Sequence, residues 1–232
     1  MGENILWELS KLGRHMGGTA GVSLYALGVI VLGIVAPMYI GLALIDVRAL
    51  LTYAFLPLLF VPPVTADSVA GERELKPETS AQRREWLSGK IGAGAIYGWL
   101  SVAVTLTLAI VSLRLSRGHF PVLPLLFVCG LVLVSMAAAL FAASLAAAIS
   151  ISARSAKAAK RTMRQGLLLL LIVILFLSRQ SWEWTRRLAI PETGPSFLEF
   201  AVVLSVVLVG FSVGLAKLAS HSVDSSEIRL NL

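Results

Sequence analysis

Long runs without an ionisable side chain alternate along this chain with short charged segments. Between His15 and Asp46 lie 30 such residues, between Arg48 and Asp67 18, between Lys90 and Arg114 23, and between His119 and Arg154 34. A helix needs roughly 20 residues to cross a hydrocarbon layer of about 30 Å, so each of these four runs predicts a membrane-crossing helix. Two shorter runs follow, 14 residues from Arg164 to Arg179 and 17 from Glu199 to Lys217. The second suffices once its flanks are added, because Lys217 can reach back to the headgroups along its own stem. The first covers only about 21 Å by itself and is compatible with a buried or re-entrant segment. It crosses if it extends through Arg164 at one end and through Trp182 and Trp184 at the other, since aromatic rings settle at the interface. The pattern predicts an all-α polytopic membrane protein of one domain, 1–232, with six transmembrane helices at about 18–44, 49–66, 91–113, 121–150, 162–182 and 198–218.

Ahead of the first run, Ile5, Leu6, Leu9, Leu12 and Met16 share one helical face while Glu3, Glu8, Lys11 and Arg14 share the other. That pattern predicts an interfacial amphipathic helix over 3–16 leading into the first span. The uncharged run beginning at Met16 is far longer than a signal-peptide core, so no cleavable leader is expected. Pro37 and Pro57 fall inside the first two spans and predict kinks, whereas Pro62 and Pro63 predict the end of the second span. Small residues recur at four-residue spacing at Gly17 and Gly21, Gly94 and Gly98, Gly210 and Gly214, and Ser135, Ala139, Ala143 and Ala147. Such faces let helix backbones approach closely, within one chain more often than across a dimer seam.

Composition agrees with a lipid environment: 57% of residues are hydrophobic and 14% charged, with a mean hydropathy of +0.84. A soluble domain of that balance would expose large apolar patches. The net charge of +7 does not indicate nucleic acid, because the basic residues sit in loops between apolar runs and not on a soluble face. Lys and Arg accumulate instead on the cytoplasmic side of membrane proteins. With six spans and both termini inside, Lys11, Arg14, Arg73, Lys76, Arg83, Arg84, Lys90, Arg154, Lys157, Lys160, Arg161, Arg164, Lys217 and Arg229 are cytoplasmic. Only Arg48, Arg114, Arg117, Arg179, Arg186 and Arg187 lie outside, which fixes the orientation.

Catalytic chemistry is hard to find. His15, His119 and His221 lie near span ends or in the tail, with no His-Glu-x-x-His pair, and the single Cys129 sits in an apolar run. No Gly-x-Ser-x-Gly elbow occurs, and Ser88-Gly89-Lys90 lacks the upstream glycine of a phosphate loop. The chain is therefore expected to bind no cofactor and to hydrolyse no nucleotide by itself. Within the spans no Asp, Glu or His builds an ion relay. Glu199 and Lys217, at the two ends of the last span, are the nearest candidates for pathway residues, and anchoring at the interface is the stronger role for both. Anything that crosses would meet an apolar lining with scattered hydroxyls such as Thr105, Thr107 and Ser112.

The densest charge lies in residues 67–90, between the second and third spans. There Ala66-Asp67-Ser68-Val69-Ala70-Gly71-Glu72-Arg73-Glu74 is followed by Arg84-Glu85-Trp86-Leu87-Ser88-Gly89-Lys90. This pair of clusters, placed between spans, resembles the signature of ABC type-2 exporter permeases: a Gly-Glu-Arg-Glu-like group after the second span and an Arg-Glu-x-x-x-Gly-Lys-like opening of the third. The Arg154-Ser155-Ala156-Lys157 turn is similar to that family's second cytoplasmic turn. The family's Gly-Thr-x-Glu step and Pro-centred turn are replaced here by Leu75-Lys76-Pro77-Glu78-Thr79-Ser80-Ala81-Gln82, several residues shorter.

The resemblance implies a bacterial inner-membrane permease, paired with a second copy or a related permease in a homo- or heterodimer. A separate ABC ATPase subunit would hold ATP and Mg and dock on a coupling segment running from Asp67 to Glu85. Asp67, Gly71, Glu72, Arg73, Glu74, Arg84, Glu85 and Lys90 are the implied coupling residues. Arg154, Lys157, Lys160, Arg161 and Arg164 are candidates for the same ATPase or for anionic lipid headgroups. Trp182, Trp184, Pro191 and Pro195 suggest either a folded outer hairpin or an interfacial aromatic belt. An amphipathic or hydrophobic cargo suits the lining. Two other classes compete: a non-transporting membrane scaffold or sensor subunit, and an intramembrane enzyme, for which no nucleophile and base stand at matched depths.

Overall fold

Small residues govern how closely the helices of this protein approach. In the computed structural model the described residues are 26–40, 53–71, 80–118, 124–153 and 195–228, with isolated positions at 158, 161–162 and 165–166. Among them all regular structure is helical. Helix α1 is Ala26–Tyr39, α2 is Pro57–Gly71, α3 is Ser80–Arg117, α4 is Leu125–Ser152 and α5 is Pro195–Ile228. Stretches of α3 (Arg84–Ser116), α4 (Leu125–Ser152) and α5 (Phe197–His221) are long and apolar enough to cross a membrane; α1 and α2 are shorter apolar helices. The amphipathic segment 3–16, the Gly17 and Gly21 pair and most of the fifth run fall outside the described residues.

The centre of the bundle is a three-helix contact around Gly94 and Gly98 of α3. A Cβ on Gly94 would stand 2.5 Å from Thr65 Oγ1 of α2 and 3.2 Å from Ala143 Cβ of α4. One on Gly98 would collide with Val61 Cγ2 and lie 3.2 Å from Ala139 Cβ and 3.3 Å from Pro57 Cβ. The four-residue spacing on α3 therefore interlocks with that of Ala139 and Ala143 on α4, with α2 wedged across both. Without a hydrophobic drive between helices in lipid, this close backbone approach is what associates them. Val61, Ala142, Ala143 and Ala147 are all fully buried around it.

These contacts also give the directions of the helices. Pairing of residues 57–68 with 98–90 makes α2 and α3 an antiparallel hairpin, and pairing of Gly94 with Ala143 and Gly98 with Ala139 sets α4 antiparallel to α3. Helix α5 runs parallel to α4. Phe127 and Phe197 meet near their first turns with ring centroids 4.5 Å apart, Gly130 lies against Phe197 and Ala201, and Ala219 shares a core with Ala147 and Ile151. Helix α1 lies beside α3 and runs the same way, with Gly33 against Leu108 and Thr105, and opposite to α2, with Gly28 against Phe60. One end of the bundle thus carries the end of α2, the start of α3 and the ends of α4 and α5. The other carries the ends of α1 and α3 and the starts of α2, α4 and α5.

Local chemistry accounts for the element ends. Gly118, at φ +75°, closes α3 in the left-handed conformation that glycine adopts without penalty, its N–H donating to the Arg114 carbonyl at 2.8 Å. Pro195 opens α5, a position where a missing N–H removes nothing from the helix. Before α2 the chain turns at Phe55 and Leu56, and three-residue hydrogen bonds (Leu56 N to Tyr53 O, Leu58 N to Phe55 O, Leu59 N to Leu56 O) replace the α pattern around Pro57. The kink expected at Pro57 is thus a break between two helical pieces. Pro62 and Pro63 do not end α2, contrary to expectation; the helix continues through them to Gly71. Their lost donors fall at the carbonyls of Leu58 and Leu59, within the turn following Pro57. Packing of Val61, Thr65, Ser68 and Val69 against α3 and α4 holds the remaining turns.

The two glycine pairs make opposite predictions. Gly98→Ala, or Gly94→Ala, forces the three-helix contact apart and lowers stability by about 1–3 kcal/mol. Gly210→Ala and Gly214→Ala, where nothing lies within 4 Å, leave it unchanged or raise it by roughly 0.5–1 kcal/mol. Thermal unfolding of the purified protein in detergent distinguishes them.

Candidate functional site

The charged segment 67–90 is not a separate element at its two ends. Residues 67–71 complete α2 and residues 80–90 open α3, so the chain between the helices is only the eight residues 72–79, which lie outside the described ones. Helix α3, 38 residues long, extends about 57 Å, nearly twice the hydrocarbon thickness of about 30 Å. The helix is thus longer than a crossing needs, and its first turns carry the charged residues. Arg84 and Glu85 are exposed there, and Ser88 Oγ donates to the Glu85 carbonyl at 2.8 Å.

Lys90 behaves differently from the rest of the segment. Its side chain is 1% exposed. The ammonium donates to Ser68 Oγ of α2 at 2.8 Å and lies 6.0 Å from the centroid of the Trp86 ring, one turn earlier on α3. A cation removed from water is tolerated only with polar partners and, here, with the aromatic face beside it. Just beyond, Ser150 Oγ of α4 donates to the Ala66 carbonyl of α2 at 3.3 Å. The base of the charged segment is thus tied across three helices by side chains. Lys90 belongs to this tie; its ammonium faces the bundle and not the surface on which a soluble partner would rest.

Of the other implied coupling residues, Asp67 lies in the last turns of α2 and Gly71 is its final residue. Glu72, Arg73 and Glu74 fall outside the described residues, as do Arg154, Lys157, Lys160 and Arg164; Arg161 is exposed. The outer segment with Trp182, Trp184 and Pro191 also falls outside them. The described residues that flank these charged runs meet at one end of the bundle. Residues 71 and 80, which flank 72–79, and Ala153, from which 154–164 departs, all lie at the end shared by the close of α2, the opening of α3 and the close of α4.

Glu199 and Lys217 are both exposed on α5. They are 18 positions apart, about 27 Å along the helix, a spacing that fits anchoring at the two interfaces of a hydrocarbon layer. The hydroxyls expected along a lining are engaged by helix carbonyls. Thr105 and Thr107 donate to the carbonyls one turn back, Ser101 and Ala103, both at 2.7 Å, and Ser112 donates across to Gly33 of α1 at 3.2 Å. Cys129 is exposed on α4, and no group of three or more His, Cys, Asp and Glu residues is placed to hold a metal ion among the described residues.

Ser68 and Trp86 are the members of the tie that sequence reasoning passed over. Trp86 is one helical turn from Lys90, a spacing legible in the sequence. Ser68 is 22 residues away, and only the closure of the hairpin brings it near. No protein-family model matches this chain, and no curated protein matches it.

Ser68→Ala removes a hydrogen bond to a buried cation and lowers stability by about 1.5–3 kcal/mol. Ser88→Ala, on the exposed face, changes it by less than about 0.5 kcal/mol. Thermal unfolding of the two variants side by side checks the difference.

Proposed function

We propose that the chain is the membrane-spanning permease subunit of an ABC transporter, exporting an amphipathic or hydrophobic substrate with ATP hydrolysed by a separate nucleotide-binding subunit. The observation that carries this reading is the α2–α3 hairpin. Two helices locked by glycine contacts inside the bundle run on into charged ends at 67–71 and 80–90, and the sequence that joins them, 72–79, is short and highly charged. A push on that connection is transmitted along rigid helices into the membrane core, which is what coupling to a cytosolic motor requires. Glu72, Arg73 and Glu74 would form the charge-assisted contacts to the ATPase, with Arg84 and Glu85 flanking them; desolvated contacts of that kind lose about 2–5 kcal/mol when one partner is removed.

The parallel packing of α4 and α5 supports a reading with six spans. Ala153 and Pro195 lie at opposite ends of the bundle, and the sequence between them holds the uncharged run 165–178, which this reading takes as the fifth crossing. A six-span layout puts 67–90, 154–164 and the C-terminus on one side, the side richer in Lys and Arg, which is the cytoplasmic side of a bacterial inner membrane. Two such chains, or this one with a related permease, would make the transport unit.

In cells expressing a Cys129→Ser background, Ser80→Cys and Ala158→Cys are expected to react with membrane-impermeant maleimide only after the membrane is opened, and Ser196→Cys in intact cells. Labelling of residue 80 from outside would overturn the orientation, and labelling of 158 and 196 from the same side would remove the fifth crossing. Function is tested by affinity purification: the unmodified chain is expected to recover a nucleotide-hydrolysing subunit, and Glu72→Lys or Arg73→Glu to lose it by tenfold or more. Recovery of a partner without ATPase activity would replace the permease reading with a scaffold, and wild-type recovery by both variants would sink the assigned coupling role.

A further inference from the structure

Helix α1 does not hold one register. In its middle, Val31–Val35 forms a π-helical turn in which the Ala36 N–H reaches back five residues to the Val31 carbonyl. The Leu32 carbonyl, which Ala36 would serve in an α-helix, is therefore passed over. The next residue is Pro37, buried and without an N–H, so it serves neither Leu32 in π geometry nor Gly33 in α geometry. Two carbonyls within an apolar helix are thus deprived of the donors the backbone normally supplies. In lipid such a group costs several kcal/mol if left bare.

Both are met by side chains from other helices. Tyr53 Oη, on the helical turn before α2, donates to the Leu32 carbonyl at 2.5 Å, and Ser112 Oγ of α3 donates to the Gly33 carbonyl at 3.2 Å. Gly33 permits the approach, since a Cβ there would stand 3.0 Å from Leu108 Cβ and 3.2 Å from the Thr105 carbonyl. Beyond the turn, Pro37 is buried while Met38 and Tyr39 are 56% and 86% exposed, and the two bonds secure the turn from which this outer part of α1 leaves. Sharp bends in helices arise at prolines and π-bulges, and here the two coincide.

We infer that Val31–Val35 is a hinge in α1, latched by Tyr53 and Ser112, about which the outer segment Ala36–Ile40 swings relative to α3. Release exchanges the two side-chain donors for water, and it occurs at the end of the bundle remote from the charged segment. The inference goes beyond the permease reading and needs neither ATP nor a partner protein.

The test uses the full chain in lipid nanodiscs, with Cys129 replaced by Ser and spin labels at Tyr39→Cys and Leu115→Cys, two exposed positions on α1 and α3 at the same end. A second pair, Leu27→Cys and Leu100→Cys, reports the inner part of α1. The latched chain gives one dominant outer distance. Tyr53→Phe and Ser112→Ala each raise a second population about fivefold, the double variant about thirtyfold, while the inner distance is unchanged. Pro37→Ala restores the missing N–H and lets α1 regain a single register, so in that background Tyr53→Phe has no effect on the outer distance. An outer distribution unmoved by the double variant overturns the hinge. So does an inner pair that moves equally, or an effect of Tyr53→Phe that survives Pro37→Ala.

Discussion

Close contact between α2, α3 and α4 at Gly94 and Gly98 is the constraint on which the rest of this structure depends. Apolar helices in lipid gain little from hiding apolar surface, and what remains to hold them is dispersion at short range and a few polar bonds. Glycine on α3 against alanine on α4 supplies the first, and it leaves space into which Val61 and Thr65 of α2 fit. Once α2 and α3 are held in that register, Ser68 and Lys90 face each other one turn nearer the charged end, and Ser112 comes level with Gly33 on the far side. The polar bonds are consequences of the apolar register and then reinforce it.

The same arrangement divides the molecule into two ends with different tasks. At one end the charged stretches of α2 and α3 meet, and a buried cation ties α2 to α3. At the other, Phe127 and Phe197 close the gap between α4 and α5, α1 exchanges backbone donors for side-chain ones, and the chain before α2 turns on three-residue backbone bonds. A rigid middle with polar fittings at both ends suits a body that transmits displacement. Rigid helices carry it, and the places where backbone bonding is interrupted, around Pro37 and Pro57, are where it can be absorbed.

Much of this was legible in the residues. Uncharged runs marked α3, α4 and α5 because a membrane span must satisfy its backbone internally and keep charges out, and the small-residue spacing at Gly94, Gly98, Ala139 and Ala143 foretold which faces would meet. The proline signals were read less well. Pro62 and Pro63 argued for the end of a helix, since each lacks a donor, yet α2 continues because packing on α3 and α4 outweighs two missing bonds. Lys90 stood among the implied coupling residues at the close of the charged segment, and its side chain is held inside the bundle.

The sequence by itself determined what kind of solvent this chain is written for, how long its apolar runs are and where its charges cluster, because those properties depend on composition over windows of about 20 residues. The tertiary structure alone decided that α5 runs parallel to α4, that Ser68 receives Lys90, and that Tyr53 and Ser112 supply what Pro37 withholds. Each of these joins residues 16 or more positions apart, and no local preference encodes such a meeting. It follows only from the order in which helix faces close on one another.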